Sequence, residues 1–271
     1  LYIIHNEPTA FPILKEANVI STILSRYLEL FMPAHELLMS LLEILGAISL
    51  NKEGLSMVID SAAIKTYFKS FYELEFAKKL VQADASTGIG CSMDELGRHY
   101  PTLRPIIMAE IKDLVDRFPA FANKKLRPLC LYGKGESMFY RNQDDAPNGD
   151  DEPQEEINSW EGVHGSNLFD NVISFLSGLL QDSGQWGKEC VKEIPFESWE
   201  SFLTLPNAPY DYVSTNTMIN FLSILKYLND EEKTYGFPEI LKLLDKLVDT
   251  PIIKSFATHS GEASFFECFQ K

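Results

Sequence analysis

The chain has 271 residues, 45% of them hydrophobic, and a formal net charge of −15. That is enough apolar material for a sizeable core, in one large domain or two small ones. Acidity on this scale repels phosphate backbones and anionic lipid, so no direct nucleic-acid or membrane binding is expected, and basic partners are favoured.

No run approaches the ~18 apolar residues that a membrane span needs. The opening LYIIHNEPTAFPIL lacks a basic n-region and a small-residue cleavage site, so it is not read as a secretory signal. It lacks an initiator Met, and the closing SFFECFQK has no obvious cap, which together suggest a piece of a longer protein.

In chain order, ANVISTILSRYLELF places Val19, Ile20, Ile23, Leu24, Tyr27, Leu28 and Phe31 on one broad helical stripe, with Asn18 as N-cap. Met32 and Pro33 end that helix. AHELLMSLLEILGAISL follows with Leu37, Leu38, Leu41, Leu42, Leu45 and Ile48 inward, apolar enough to be covered on more than one side. Asn51 and Gly54 punctuate LNKEGLSMVID. Ser61 caps AAIKTYFKSF, whose stripe is Ile64, Phe68 and Phe71. Helix, tight turn, short helix, turn and helix within about forty residues match one armadillo or HEAT-type unit.

STGIGCS (86–92) reads as a glycine-containing turn, without the spacing of a phosphate loop. In MDELGRHYPTLRP (93–105) a helix pairs Asp94 with Arg98 and Glu95 with His99, and aligns Met93, Leu96 and Tyr100. Pro101 disfavours helical dihedrals at Tyr100, so this helix stops near His99. The residue types are those of proton transfer, but no nucleophile or second acid is placed to help them, so the structural reading is preferred. IIMAEIKDLVDRF is the next helix, and RPLCLYGKGESMFY (127–140) is ambiguous, with a small hairpin as one option.

Residues 142–162 hold eight acids, two prolines and two glycines, with no Lys or Arg. Such a stretch cannot bury enough to offset its ordering entropy, so a mobile acidic loop is expected. Asp144, Asp145, Asp150, Asp151, Glu152, Glu155 and Glu156 are its candidate partner-binding residues, an electrostatic lure for basic segments.

The helical rhythm then returns. LFDNVISFLSGLLQ carries Val172, Phe175, Leu176, Leu179 and Leu180; WGKECVKEI stands for the short helix; PFESWESFLTL carries Phe196, Trp199, Phe202 and Leu203. A further pair follows, with Leu222, Leu225 and Leu228 on one helix and Ile240, Leu243, Leu244 and Leu247 on the other.

Other candidate chemistry is weak. HELLM at His35 has Met39 where a zinc protease needs its second histidine. His5, His164 and His259 are isolated, and YGKGES (132–137) is an incomplete phosphate loop. Cys91, Cys130, Cys190 and Cys268 form no CxxC, so free thiols in a reducing compartment, cytosol or nucleus, are expected. No catalytic residue, cofactor or metal is assigned.

Four segments in order resemble the giant HECT-type E3 ubiquitin ligases, the Mule and yeast Tom-one family. They are GAISLNKEGL (46–55), MDELGRHYPTLRP, LFDNVISFLSGLLQD with Asp170, Asn171 and Val172, and LPNAPYDY (205–212) with Pro209, Tyr210 and Asp211. The resemblance runs from about residue 11 to about 250. Gly97 departs from it, standing where a bulky residue is expected.

The resemblance implies an N-terminal armadillo-like solenoid. Its protein substrates would be presented to a distant HECT domain, whose cysteine takes ubiquitin as a thioester. None of the four cysteines here matches that one.

The expected fold is therefore an all-α, armadillo/HEAT-like α-solenoid: one helix group over 1–141, an acidic loop over 142–165 and a continuous second group over 166–271. The expected function is a non-catalytic scaffold and substrate-recruiting segment of such a ligase, in nucleus and cytoplasm. Its partners would be protein substrates with basic segments and the rest of the same chain. Two alternatives stand beside it: a stand-alone armadillo adaptor, for example in nucleocytoplasmic transport, and a small enzyme using Cys91 or the 94–99 cluster.

Overall fold

A computed structural model of the chain describes residues 7, 9–31, 35–72, 85–132, 165–181, 184–204, 220, 223–224, 228 and 237–248. Eleven α-helices have defined bounds among them: α1 Ala10–Glu16, α2 Val19–Phe31, α3 His35–Ser49, α4 Lys52–Asp60, α5 Ala63–Lys69, α6 Ser86–His99, α7 Arg104–Tyr132, α8 Gly165–Gln181, α9 Gly184–Glu193, α10 Phe196–Leu203 and α11 Phe237–Val248. The described residues contain no strand, so the fold is all-α as expected.

The helix, short helix, helix unit forms where its turn signals lie. Asn51 accepts the Glu53 N–H at 2.9 Å and starts α4. The Ser61 hydroxyl accepts the Ala63 N–H at 3.3 Å and starts α5. Each cap satisfies a backbone donor that the first turn leaves without a partner. Gly54 differs from its reading as turn punctuation. It lies inside α4, where a Cβ would stand 2.7 Å from the Phe11 ring and collide with the Ile48 carbonyl. Asn18 marks the start of α2 in the left-handed region, φ 57°, which asparagine tolerates.

The unit recurs after the acidic stretch. Helices α3, α4 and α5 have 15, 9 and 7 residues, and α8, α9 and α10 have 17, 10 and 8, in each case joined by two-residue links.

The stripes predict the core well. Ile20, Leu24, Leu41, Leu42, Leu45, Ile48, Ile64, Phe68 and Phe71 are buried, as are Val172, Phe175, Leu176, Leu179 and Leu180. Trp199, Phe202, Leu203, Leu243 and Leu247 are buried too. Ile23, Phe196 and Leu244 are half-buried against this core, and Val19 is 39% exposed, because it lies about 100° around the helix from Ile20, at the edge of the stripe. Helix α1, with Phe11 buried, has no counterpart in the sequence reading. Near the C-terminus Ile224 and Leu228 are buried, whereas Leu222, Leu225 and Ile240 lie outside the described side chains.

Helix α7 is longer than its apolar pattern suggests. It continues through Pro119, which has no N–H to offer the Val115 carbonyl, as far as Tyr132. Residues 127–132, open to a hairpin reading, are therefore helical. Helix α6 packs on α3 on one side and on α8 on the other, while α7 packs on α5, α8, α9 and α10. Phe175 of α8 stacks against Phe68 and Phe71, with centroids at 5.6 and 4.8 Å. Phe202 of α10 meets Phe118 of α7 at 5.9 Å and Phe169 of α8 at 5.4 Å. One continuous core thus spans both helix groups.

Candidate functional site

The 86–105 region gathers most of the candidate chemistry, and all of α6 lies within it. STGIGCS is not a turn: residues 86–92 are the first half of α6. Of its two glycines, Gly90 serves helix packing instead. A Cβ on Gly90 would collide with the Phe175 carbonyl and stand 2.6 Å from the Leu179 nitrogen. A Cβ on Gly178 would collide with the Thr87 carbonyl. The two helices therefore cross backbone to backbone, which glycine alone permits. Ser86 donates to Asn171 Oδ1 at 3.2 Å beside this crossing. Ten consecutive residues of α8, 171–180, are buried.

The MDELGRH half forms the expected helix and ends at His99. Arg98 Nε donates to Asp94 Oδ2 at 2.7 Å, the predicted i,i+4 pair. Its setting differs from that of a surface pair, because Asp94 is 1% exposed. The second oxygen, Oδ1, accepts the indole N–H of Trp186 from α9 at 3.0 Å. A buried carboxylate is tolerable when its lone pairs are satisfied in this way. The Glu95–His99 pair is longer, at 3.6 Å, and exposed.

Gly97 lies under the same tryptophan, and a Cβ there would be 3.0 Å from Trp186 Cζ2. This accounts for glycine where the family resemblance calls for a bulky residue: the indole fills that space. Beyond the helix, the Tyr100 hydroxyl donates to the Gly46 carbonyl of α3 at 2.7 Å. Arg104 Nε donates to the Gly97 carbonyl at 2.9 Å, closing the end of α6. Leu103 is buried.

These contacts define what the cluster can do. Both Asp94 oxygens accept from protein side chains, Oδ2 from Arg98 and Oδ1 from Trp186. Among the described residues no group of His, Cys, Asp and Glu is arranged to hold a metal ion. His35 opens α3, and its side chain lies outside the description. Cys91 is exposed, with Sγ 3.6 Å from the Gly178 carbonyl. Cys190 is buried on α9, and burial, reinforced by Glu193, pushes its thiol up to about 12.

Asp144, Asp145, Asp150, Asp151, Glu152, Glu155 and Glu156 lie outside the described residues, as do His5, His164 and His259. No helix among the described residues is long and apolar enough to cross a membrane.

Sequence reasoning missed Trp186, Gly90 and Gly178 as partners of this region. A signal was present for the glycines, since glycine inside an apolar helix costs about 1 kcal/mol and calls for a packing reason.

The family described as Domain of Unknown Function (DUF913) matches residues 1–211. The probable E3 ubiquitin-protein ligase TOM1 of Eremothecium gossypii is 30% identical over 244 residues, 90% of this chain and 7% of that protein. The E3 ubiquitin-protein ligase TOM1 of Saccharomyces cerevisiae is 26% identical over 264 residues, 97% of this chain and 8% of that protein. The E3 ubiquitin-protein ligase ptr1 of Schizosaccharomyces pombe is 30% identical over 148 residues, 51% of this chain and 5% of that protein. The chain thus spans less than a tenth of the length of these relatives, and its resemblance to the giant ligases is borne out over most of its own length. No solved structure matches it.

Proposed function

This chain belongs to the family described as Domain of Unknown Function (DUF913), and from that membership we propose that it is a non-catalytic scaffold segment in the N-terminal part of a HECT-type E3 ubiquitin-protein ligase. The observation that carries this reading is the fate of the 93–105 cluster. Its acid joins α6 to α9 and its tyrosine, just beyond α6, joins it to α3, while its arginine holds the acid from within α6. The chain is similar to ubiquitin-protein ligases over 90% of its length, yet this cluster is built as a joint.

The mechanism is positional. The repeated order of long, short and short helix, α3–α4–α5 and again α8–α9–α10, supports an armadillo-like solenoid. A stiff wall of stacked helices holds a bound substrate within reach of the distant ubiquitin thioester and so raises its effective concentration there. The acidic stretch, with Asp144, Asp145, Asp150, Asp151, Glu152, Glu155 and Glu156, draws basic substrate segments and acts mainly on association rate. The remainder of the same chain flanks the wall, and the protein works in nucleus and cytoplasm, in keeping with free thiols.

The test is excision of this segment from the full-length protein, followed by two assays. The reading expects ubiquitin thioester formation on the HECT cysteine to persist and ubiquitin transfer to bound substrates to fall at least tenfold. A full-length chain without a HECT cysteine overturns it, and so does unchanged substrate transfer.

A further inference from the structure

We infer that α6, with residues 68–71 and the adjoining side of α7, forms a docking surface for the helices beyond the acidic stretch, one that holds them without the covalent link through residues 133–164. The inference rests on contacts within the fold and is independent of the ubiquitin reading.

Contacts joining the two helix groups run between residues 68–118 and residues 171–202. At the centre the backbones of Gly90 and Gly178 touch, with Ser86 on Asn171 beside them. At one end Asp94 takes the Trp186 indole N–H, and the indole lies on Gly97. At the other, Phe175 enters between Phe68 and Phe71, and Phe202 reaches Phe118. Residues 171–180 of α8 are all buried, so this part of the helix has no solvent face. An interface of that kind resembles a domain core cut in two, the form taken by obligate associations. Contacts of that extent are expected to hold the two groups together once the link is cut. On this inference the described helices stay together when the acidic stretch is cut.

The experiment places a site-specific protease sequence within residues 142–162 of the full chain and cuts it. The uncut protein is expected to keep the circular dichroism and melting temperature of the parent; unfolding by the insertion alone would overturn the inference. After cutting, gel filtration at low micromolar concentration is expected to give one species with the mass of the intact chain. Two separate fragments would overturn it. Gly178→Leu, which drives a side chain into the backbone crossing, is expected to raise the free fragment at least tenfold after cutting. Trp186→Phe, which keeps the ring and removes the donor, is the milder version should Gly178→Leu fail to fold uncut. If neither variant loosens the cut protein, the docking surface lies elsewhere and the inference fails.

Discussion

The indole N–H of Trp186 donates to Asp94 Oδ1 at 3.0 Å, across 92 positions of sequence, while Arg98 holds the other oxygen. Removing either end leaves a buried polar group without its partner, which costs about 1–3 kcal/mol. Asp94→Ala is expected to lower unfolding free energy by about 2–3 kcal/mol, and Trp186→Phe by about 1–2 kcal/mol. Urea titrations followed by circular dichroism measure both. The two losses are expected to be non-additive, since one hydrogen bond is counted twice. Full additivity in the double variant would show that the contact contributes nothing.

The glycines of α6 divide into two kinds. Gly90→Ala puts a methyl onto the Phe175 carbonyl, which belongs to backbone and cannot yield cheaply. Overpacking of this sort costs about 1–3 kcal/mol, and the better helix propensity of alanine returns at most about 1 kcal/mol. Gly97→Ala meets the edge of the Trp186 ring at 3.0 Å, and a side chain can shift by a few tenths of an ångström. It is expected to lie within about 1 kcal/mol of the parent. Thermal melts of the two variants side by side check the contrast.

The helices are legible because their apolar residues recur at helical spacing and because Asn51 and Ser61 mark the starts of α4 and α5. Pro101 gave the end of α6 correctly. The seam was not legible. Gly90 and Gly178 are 88 positions apart: glycine inside an apolar helix signals close packing without naming the partner, and two glycines in a short stretch also resemble a turn. STGIGCS was read as a turn for that reason. Likewise the Asp94–Arg98 pair was visible from i,i+4 spacing, but its burial depends on Trp186, which no spacing rule links to it. Read with the structure, three of the four family-resembling segments prove to touch the same region. Gly46 accepts from Tyr100, Asp94 from Trp186, and Asn171 from Ser86.

Stability is expected to fall in alkali. Burial raises the Cys190 thiol from its ordinary 9.0 to about 12, and raises the phenols of Tyr67 and Tyr72 above their ordinary 10.0. Above pH 9 the unfolded chain releases the Cys190 proton while the folded protein keeps it. The contribution is therefore complete below about pH 9 and is lost as pH rises toward about 12. Each such group adds a slope of up to about 1.4 kcal/mol per pH unit. Cys190→Ala is expected to flatten the profile between pH 9 and pH 10, as read by urea midpoints. In native protein at pH 8, iodoacetamide mapping is expected to label Cys91 well before Cys190.

Replacing Asp144, Asp145, Asp150, Asp151, Glu152, Glu155 and Glu156 by Asn and Gln removes seven charges from a stretch that has no Lys or Arg. The melting temperature is expected to stay within a few degrees. Association with a basic peptide is expected to slow several-fold at low salt and to lose most of its salt dependence. Stopped-flow binding at two ionic strengths reads both effects.

The central claim is that the acid, arginine and histidine of residues 94–99 serve structure and carry no chemistry. The most direct measurement pairs equilibrium unfolding with ubiquitin thioester formation in the full-length protein carrying Arg98→Ala or His99→Ala. Arg98→Ala leaves a buried carboxylate short of a donor and is expected to lower stability measurably; His99→Ala, at an exposed position, is expected to lower it little. Both are expected to form thioester at the parental rate at a temperature where they are folded. Loss of thioester formation with stability unchanged would contradict the account.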